Sequence, residues 1–226
     1  VPLIFCLPYA LFYPEYIFVL DDGHGHAVGY VLAAPDAHAF LARWKAEYLP
    51  YLATHHPELP PAPVGADGEA LKPVGNEIEH VAKSRSGSAT PDGADLSRAL
   101  LARLYNPDAT IVHPECPALV REYPAHLHVD LLPGFQGGGR GKALIEVLFE
   151  AFANDGVRGC HLLKAGDNEG TTVFYQKIGF SIYGQIMDGG LSGEKGRKST
   201  GGICMVRKTF KGGDSPRRSP RLAGRK

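Results

Sequence analysis

The run from His126 to Leu144 (HLHVDLLPGFQGGGRGKAL) constrains this chain more than any other stretch. It reads as a strand, a turn imposed by Pro133-Gly134, a glycine-rich loop, and a helix with apolar residues at Leu144, Ile145, Leu148 and Phe152. A helix that starts from small residues leaves backbone N–H groups unpaired and pointing outward, which suits an anion. Glycine lets a phosphate approach the backbone itself. Two nucleotide-binding spacings fail here. A P-loop needs glycine where Gln136 stands and a hydroxyl where Ala143 stands; a dinucleotide fingerprint needs glycine at Lys142 or at Arg140.

A second block follows at Asn168-Glu169-Gly170-Thr171-Thr172-Val173-Phe174-Tyr175-Gln176-Lys177-Ile178-Gly179-Phe180. Gln-x-x-Gly-x-Gly at Gln136 to Gly141, after a strand ending in Leu-Pro, resembles motif A of the GNAT N-acetyltransferases. The second block resembles that family's Asn-x(6)-Tyr-x-x-x-Gly-Phe helix, in the right order along the chain. The resemblance implies an α/β fold: a central mixed, twisted sheet flanked by helices, with a V-shaped splay between two parallel strands. It implies acetyl-CoA as cosubstrate, with pantetheine on Val129, Asp130 and Leu131. The pyrophosphate would lie on Gly137, Gly138, Gly139, Arg140, Gly141 and Lys142, with Gln136 opening the motif. Asn168 would position the cofactor's arm, and Tyr175 would protonate the departing thiolate. The hairpin, Phe40 to Trp44 and His126 to Pro133 together look like one subgroup, similar to the carboxy-terminal acetyltransferase-like domain of O-GlcNAcases.

The base is less defined. Where many members carry a glutamate, this chain has Leu163. His126, His128 and Asp130 alternate on the central strand and share one face. A carboxylate beside a histidine could tune a base toward neutral pH; equally, these side chains could only hydrogen-bond a covering segment. A chain of waters is a third route.

Lys and Arg total 24, as do Asp and Glu, so no global field recruits nucleic acid or membrane. Cys6, Cys116, Cys160 and Cys204 form no closely spaced pair, which argues against a zinc or disulfide scaffold and for a reducing compartment. The expected location is the cytoplasm, with nuclear entry open through a basic tail. No apolar run reaches membrane-spanning length, and Val1 to Leu7 lacks the flanks of a signal peptide.

Residues 1–54 read as the amino-terminal part of the GNAT domain: a hairpin (Tyr16–Leu20, Ala27–Leu32) and an amphipathic helix from Asp36 to Ala53 that ends at Pro50 or shortly after. Trp44 reads as a core anchor before a pocket residue. Only fifteen residues precede Tyr16, too few for the strand and helices the resemblance calls for, so elements are expected to be missing there. Residues 55–95 read as a flexible insertion with a short element around Ile78 to Lys83. The acetyl-CoA-binding core follows at 96–211, with a helix at Leu96–Tyr105, an extended approach through Pro114, Pro117 and Pro124, and a polar loop from Gly189 to Gly202. Residues 212–226 read as a disordered basic tail. His161 is read as a satisfied core histidine, and His55-His56 as no metal site. The expected activity is acetyl transfer to an amine, a small molecule before a protein lysine, by a monomer or homodimer. The alternative is a non-catalytic acyl-CoA-binding or protein-interaction domain, favoured by Leu163.

Overall fold

The computed structural model describes residues 2–65, 68–69, 93–164, 169–184 and 203–210. The element predicted around Ile78 to Lys83, Asn168, the Gly189–Gly202 loop and the basic tail lie outside them. Two short helices come first, α1 (Pro2–Phe5) and α2 (Leu7–Phe12). The predicted hairpin is β1 (Ile17–Asp21) and β2 (Ala27–Ala34). Its turn is held by Asp21 and Asp22, whose carboxylates accept from the backbone N–H groups of Gly23 and His24.

The helix after the hairpin starts where Asp36 caps α3 (Ala37–Arg43) through the N–H of Ala39, at 2.9 Å. Its end is expected at Pro50 or shortly after, and it comes at His55: the chain opens into a π-helical turn (Trp44–Tyr48) and continues as α4 (Leu49–His55). Proline lacks an N–H and crowds the carbonyl four residues back. The Leu49 N–H bonds the Trp44 carbonyl, five residues back, so the wider turn precedes Pro50 and the ring sits in the first turn of α4. Trp44 is a core anchor, with Nε1 donating to the Leu104 carbonyl at 3.0 Å.

The approach to the central strand differs in part from expectation. After α5 (Gly93–Tyr105), α6 (Asp108–Ile111) follows Pro107; of Pro114, Pro117 and Pro124, expected to hold the chain extended, Pro114 lies in a turn and Pro117 opens a helix, α7 (Pro117–Glu122), while Pro124 directly precedes the central strand. Then come β3 (Ala125–Leu131), α8 (Arg140–Asn154), β4 (Gly159–Lys164), α9 (Glu169–Lys177), β5 (Ser181–Ile182) and β6 (Ile203–Lys208).

The six strands form one mixed sheet in the order β1-β2-β3-β4-β6-β5. One face packs on α8 and α9, with Val31, Leu127, Ile145, Leu148, Phe152 and Phe180 in its core. The opposite face packs on the amino-terminal helices through Leu32, Ala34, Tyr9, Phe40, Trp44 and Tyr48. β2 is buried on both faces, hence its nearly unbroken apolar sequence. The parallel strands β3 and β4 pair only at Ala125 with Cys160 and His126 with His161. Beyond that they part, while β4 stays fully paired with β6. This is the splay the resemblance implies.

Candidate active site

The loop between β3 and α8 is built on three successive left-handed glycines, Gly137, Gly138 and Gly139, with φ of 80°, 59° and 82°. Residues with a Cβ rarely adopt that conformation once, let alone three times running. A Cβ placed on Gly137 or Gly139 would meet nothing within 4 Å, so the space before the loop is open. Among the described residues, the backbone N–H groups of Gly139, Gly141 and Lys142 have no hydrogen-bond partner. Gly141 serves a different need: its Cβ would lie 3.2 Å from the Phe174 ring and 3.6 Å from Leu131, so it lets α8 close onto α9 and β3. Arg140 and Lys142 are exposed beside the loop. Gln136 ties the loop to the strand, Nε2 donating to the Leu131 carbonyl at 3.1 Å.

The loop opens onto the gap between β3 and β4. Leu132 donates to the Val28 carbonyl at 2.9 Å, and β2 and β3 stay in constant register from Gly29 opposite Leu131 to Ala34 opposite His126. In an antiparallel ladder, alternate residues point their N–H and C=O groups to opposite sides. His126, His128 and Asp130 therefore turn theirs to β2, and Leu127, Val129 and Leu131 turn theirs to the gap. Two of the three residues assigned to pantetheine, Val129 and Leu131, thus present backbone there. The backbone contact expected at Asp130 is not available, because its N–H and C=O face Tyr30.

The side chains of His126, His128 and Asp130 share one face, as the alternation predicts, with the two histidines under α1 and α2. Asp130 is exposed and accepts from Tyr30 Oη at 2.6 Å. Tyr9, on α2, bridges the histidines: its Oη lies 2.9 Å from His126 Nδ1 and 3.1 Å from His128 Nε2. Phe5 packs edge-on against His128. Burial pushes His128 down to about 4; Asp130 opposes that shift and Arg103 adds to it. Burial, then His128, His161 and His113, push His126 well below the usual range. Both rings are neutral at pH 7. Tyr9 and Tyr30 come from elements distant in the chain from β3; only the pairing of β2 with β3 could have pointed to Tyr30.

Across the gap Tyr175 is buried between Phe174 and Phe180. Burial, then Asp130 and Cys160, raise its pKa far above the ordinary phenol value. Its hydroxyl makes no hydrogen bond among the described residues. Leu163 is half-buried against the small cluster of Cys116, Leu119, Cys204 and Val206. His161 is buried, donating Nδ1–H to the Tyr123 carbonyl at 2.6 Å. His55 is exposed on α4, its Nδ1 bonding the Tyr51 carbonyl, and no described group of His, Cys, Asp and Glu could hold a metal.

No protein-family model matches the chain. Among solved structures it is similar to the crystal structure of SsHAT, at 32% identity over 93% of this chain and 80% of that one, with a TM-score of 0.63. It is more distantly similar to Naa20 of Chaetomium thermophilum, solved with a bisubstrate analogue, at 17% identity over 88% of this chain and 69% of that one, TM-score 0.43. A third crystal structure, described as an acetyltransferase, matches at 16% identity over 90% of this chain and 77% of that one, TM-score 0.46.

Proposed function

This chain belongs to the GNAT superfamily of acetyltransferases, and from that premise we propose that it binds acetyl-CoA in the β3–β4 gap and acetylates an amine. One observation carries the reading: the open backbone edge of Val129 and Leu131 leads directly into the glycine loop at the start of α8. The edge suits an amide-bearing arm, and the loop suits a pyrophosphate. The residues present fit both.

In the proposed reaction the Leu131 N–H polarises the thioester carbonyl, where negative charge develops as the amine attacks. Asp130 or His128 accepts the proton of the incoming ammonium, and Tyr175 returns one to the departing thiolate. A hydroxyl held far above neutrality by burial stays protonated until a thiolate forms beside it. A small-molecule amine is preferred to a protein lysine, since no acidic or aromatic peptide groove is legible. Within the superfamily, the hairpin, Phe40 to Trp44 and His126 to Pro133 support a place in the subgroup similar to the carboxy-terminal acetyltransferase-like domain of O-GlcNAcases. Leu163, an apolar residue where many family members carry a glutamate, favours a second reading as a non-catalytic acyl-CoA-binding or interaction domain.

Calorimetric titration of acetyl-CoA into the chain, beside Gly139→Asp, tests the reading. The aspartate adds negative charge at the pyrophosphate position and strains a backbone at φ 82°. Micromolar binding in the parent, weakened at least a hundredfold in the variant, is expected. A folded parent that binds no acetyl-CoA would refute it. Binding without turnover across a screen of primary amines would leave the non-catalytic reading.

A further inference from the structure

Behind the site lies a line of buried histidines of which the proposed chemistry uses only the first, His128. From the open edge of β3 it begins with His128, runs through Tyr9 Oη to His126, and continues to His161 and His113. The His126 and His161 rings are 5.5 Å apart, as are those of His161 and His113. At the far end His113 Nδ1 lies 3.8 Å from Glu115 Oε1, on a side chain that reaches solvent.

Two features set this line apart from ordinary packing. His113 Nε2 and His161 Nε2 are buried without a hydrogen-bond partner. Because His161 Nδ1 donates to the Tyr123 carbonyl, its Nε2 is the acceptor of a neutral ring; the Ile111 carbonyl also faces that ring but, having no hydrogen to give, cannot satisfy it. Buried polar atoms are nearly always satisfied, by water where protein supplies nothing. His113 is also the only described non-glycine residue with positive φ, at 46°. Such strain persists where surrounding structure enforces it, and it clusters at functional positions. Here it aims a buried ring from a loop at the histidines of β3 and β4.

We propose that His128, Tyr9, His126, His113 and Glu115 form a proton relay that drains the acceptor amine's proton from the site to solvent, through a buried water held by His161. The inference rests on the acetyl-transfer reading above. The ammonium gives its proton to His128 Nδ1 as the Nε2–H passes to Tyr9 Oη. Tyr9 hands its own hydroxyl proton to His126 Nδ1, and His126 releases Nε2–H to the water. The water protonates His113 Nε2, and the Nδ1–H of His113 passes to the Glu115 carboxylate. Every bond to hydrogen that breaks is matched by one that forms, and no electrons change hands. The groups facing the line are Asp130 and Arg103 at His128, Cys6 and Cys160 at Tyr9, the Tyr123 and Ile111 carbonyls at His161, and Glu115 at His113. At pH 7 a ring titrating near 4 is charged about one time in a thousand, which suits a concerted transfer better than a resting charge.

The test needs neither amine nor cofactor. In the 15N-histidine-labelled chain, NMR reads which ring nitrogens carry protons and how fast those protons exchange with water. A relay predicts millisecond exchange at His126 although the ring is buried, slowed at least tenfold in Tyr9→Phe. His113→Asn provides a second break, since asparagine tolerates a left-handed backbone but relays no proton. Exchange over minutes in the parent, or unchanged exchange in both folded variants, would overturn the relay. Titrating acetyl-CoA into the same samples keeps the two ideas apart: fast exchange without binding would sink the function and leave the relay standing.

Discussion

The buried histidines make stability strongly dependent on pH, and the size of the effect follows from their surroundings. His161 is fully buried and pushed down to about 4, first by burial and then by His113, against the pull of the Tyr123 and Ile111 carbonyls. His128 is also at about 4. An unfolded histidine titrates near 6.5. As pH falls, the unfolded chain therefore takes up these protons first, and the folded state loses ground. The stabilisation is fully present above about pH 7, declines across the window from 6.5 to 4, and is gone below 4. At pH 5 the linkage amounts to about 2 kcal/mol for each ring. His161 and His128 together then cost about 4 kcal/mol, and His126 adds to this in the same direction, against a total stability on the order of 5–15 kcal/mol.

Urea unfolding followed by tryptophan fluorescence reads this directly, because Trp44 sits in the core. With a slope on the order of 2 kcal/mol per molar urea, the midpoint should fall by about 2 M between pH 7.5 and pH 5. The carboxylates held low by partners, Glu47 by Arg43 and Glu115 by His113, lose their stabilisation only as pH falls through the ordinary carboxylate range, so they contribute little between pH 7.5 and 5. His161→Gln removes one titrating ring, and its pH slope should drop by about 1.2 kcal/mol per unit between pH 6 and 4.5. A parent equally stable at pH 7.5 and 5, or a variant with the parent's slope, would refute the reasoning.

Two further predictions rest on single contacts. Gly159→Ala should destabilise the chain by about 1–3 kcal/mol in the same urea assay, because the new Cβ would lie 2.8 Å from the Tyr123 ring and 3.0 Å from the Arg207 carbonyl. Tyr175→Phe removes a hydroxyl with no partner among the described residues. Its melting temperature should therefore barely move, while kcat for acetyl transfer falls about a hundredfold and the Kd for acetyl-CoA stays within twofold. Unaltered kcat would remove Tyr175 from the reaction.

Much of the fold is written in local signals. The hairpin shows in two β-rich runs around Asp21-Asp22-Gly23, and α8 in its apolar spacing after the glycines. The prolines are less legible, because their meaning depends on what precedes them. Pro50 looks like a stop unless a π turn has already displaced the carbonyl it would strike. Pro117 looks like an extended linker until the chain turns at Cys116 and makes it the first residue of a helix. Neither turn leaves a periodic trace in the sequence.

The candidate site divides along the same line, and β3 shows why. Alternation in His-Leu-His-Val-Asp-Leu announces that histidines and aspartate share a face. It does not say which edge of the strand is left unpaired, and that depends on β2 and β4, roughly a hundred residues before and thirty after. Once the pairing is known, one strand sorts its own duties. Leu127, Val129 and Leu131 send side chains to the α8 core and backbone to the gap, while His126, His128 and Asp130 send backbone to β2 and polar side chains to the opposite face, the histidines to α1 and α2 and Asp130 to Tyr30. Tyr9 and His113 could not be read at all. Tyr9 meets His126 across 117 positions of chain, and His113 reaches the line only through a backbone torsion that no neighbouring residue type demands. The proposed proton acceptor on β3 would also account for Leu163. With Cys116 and Cys204 packed around it, a carboxylate at that position would be drawn into an apolar cluster, its pKa raised by burial, whereas Asp130 lies exposed on the opposite lip of the gap.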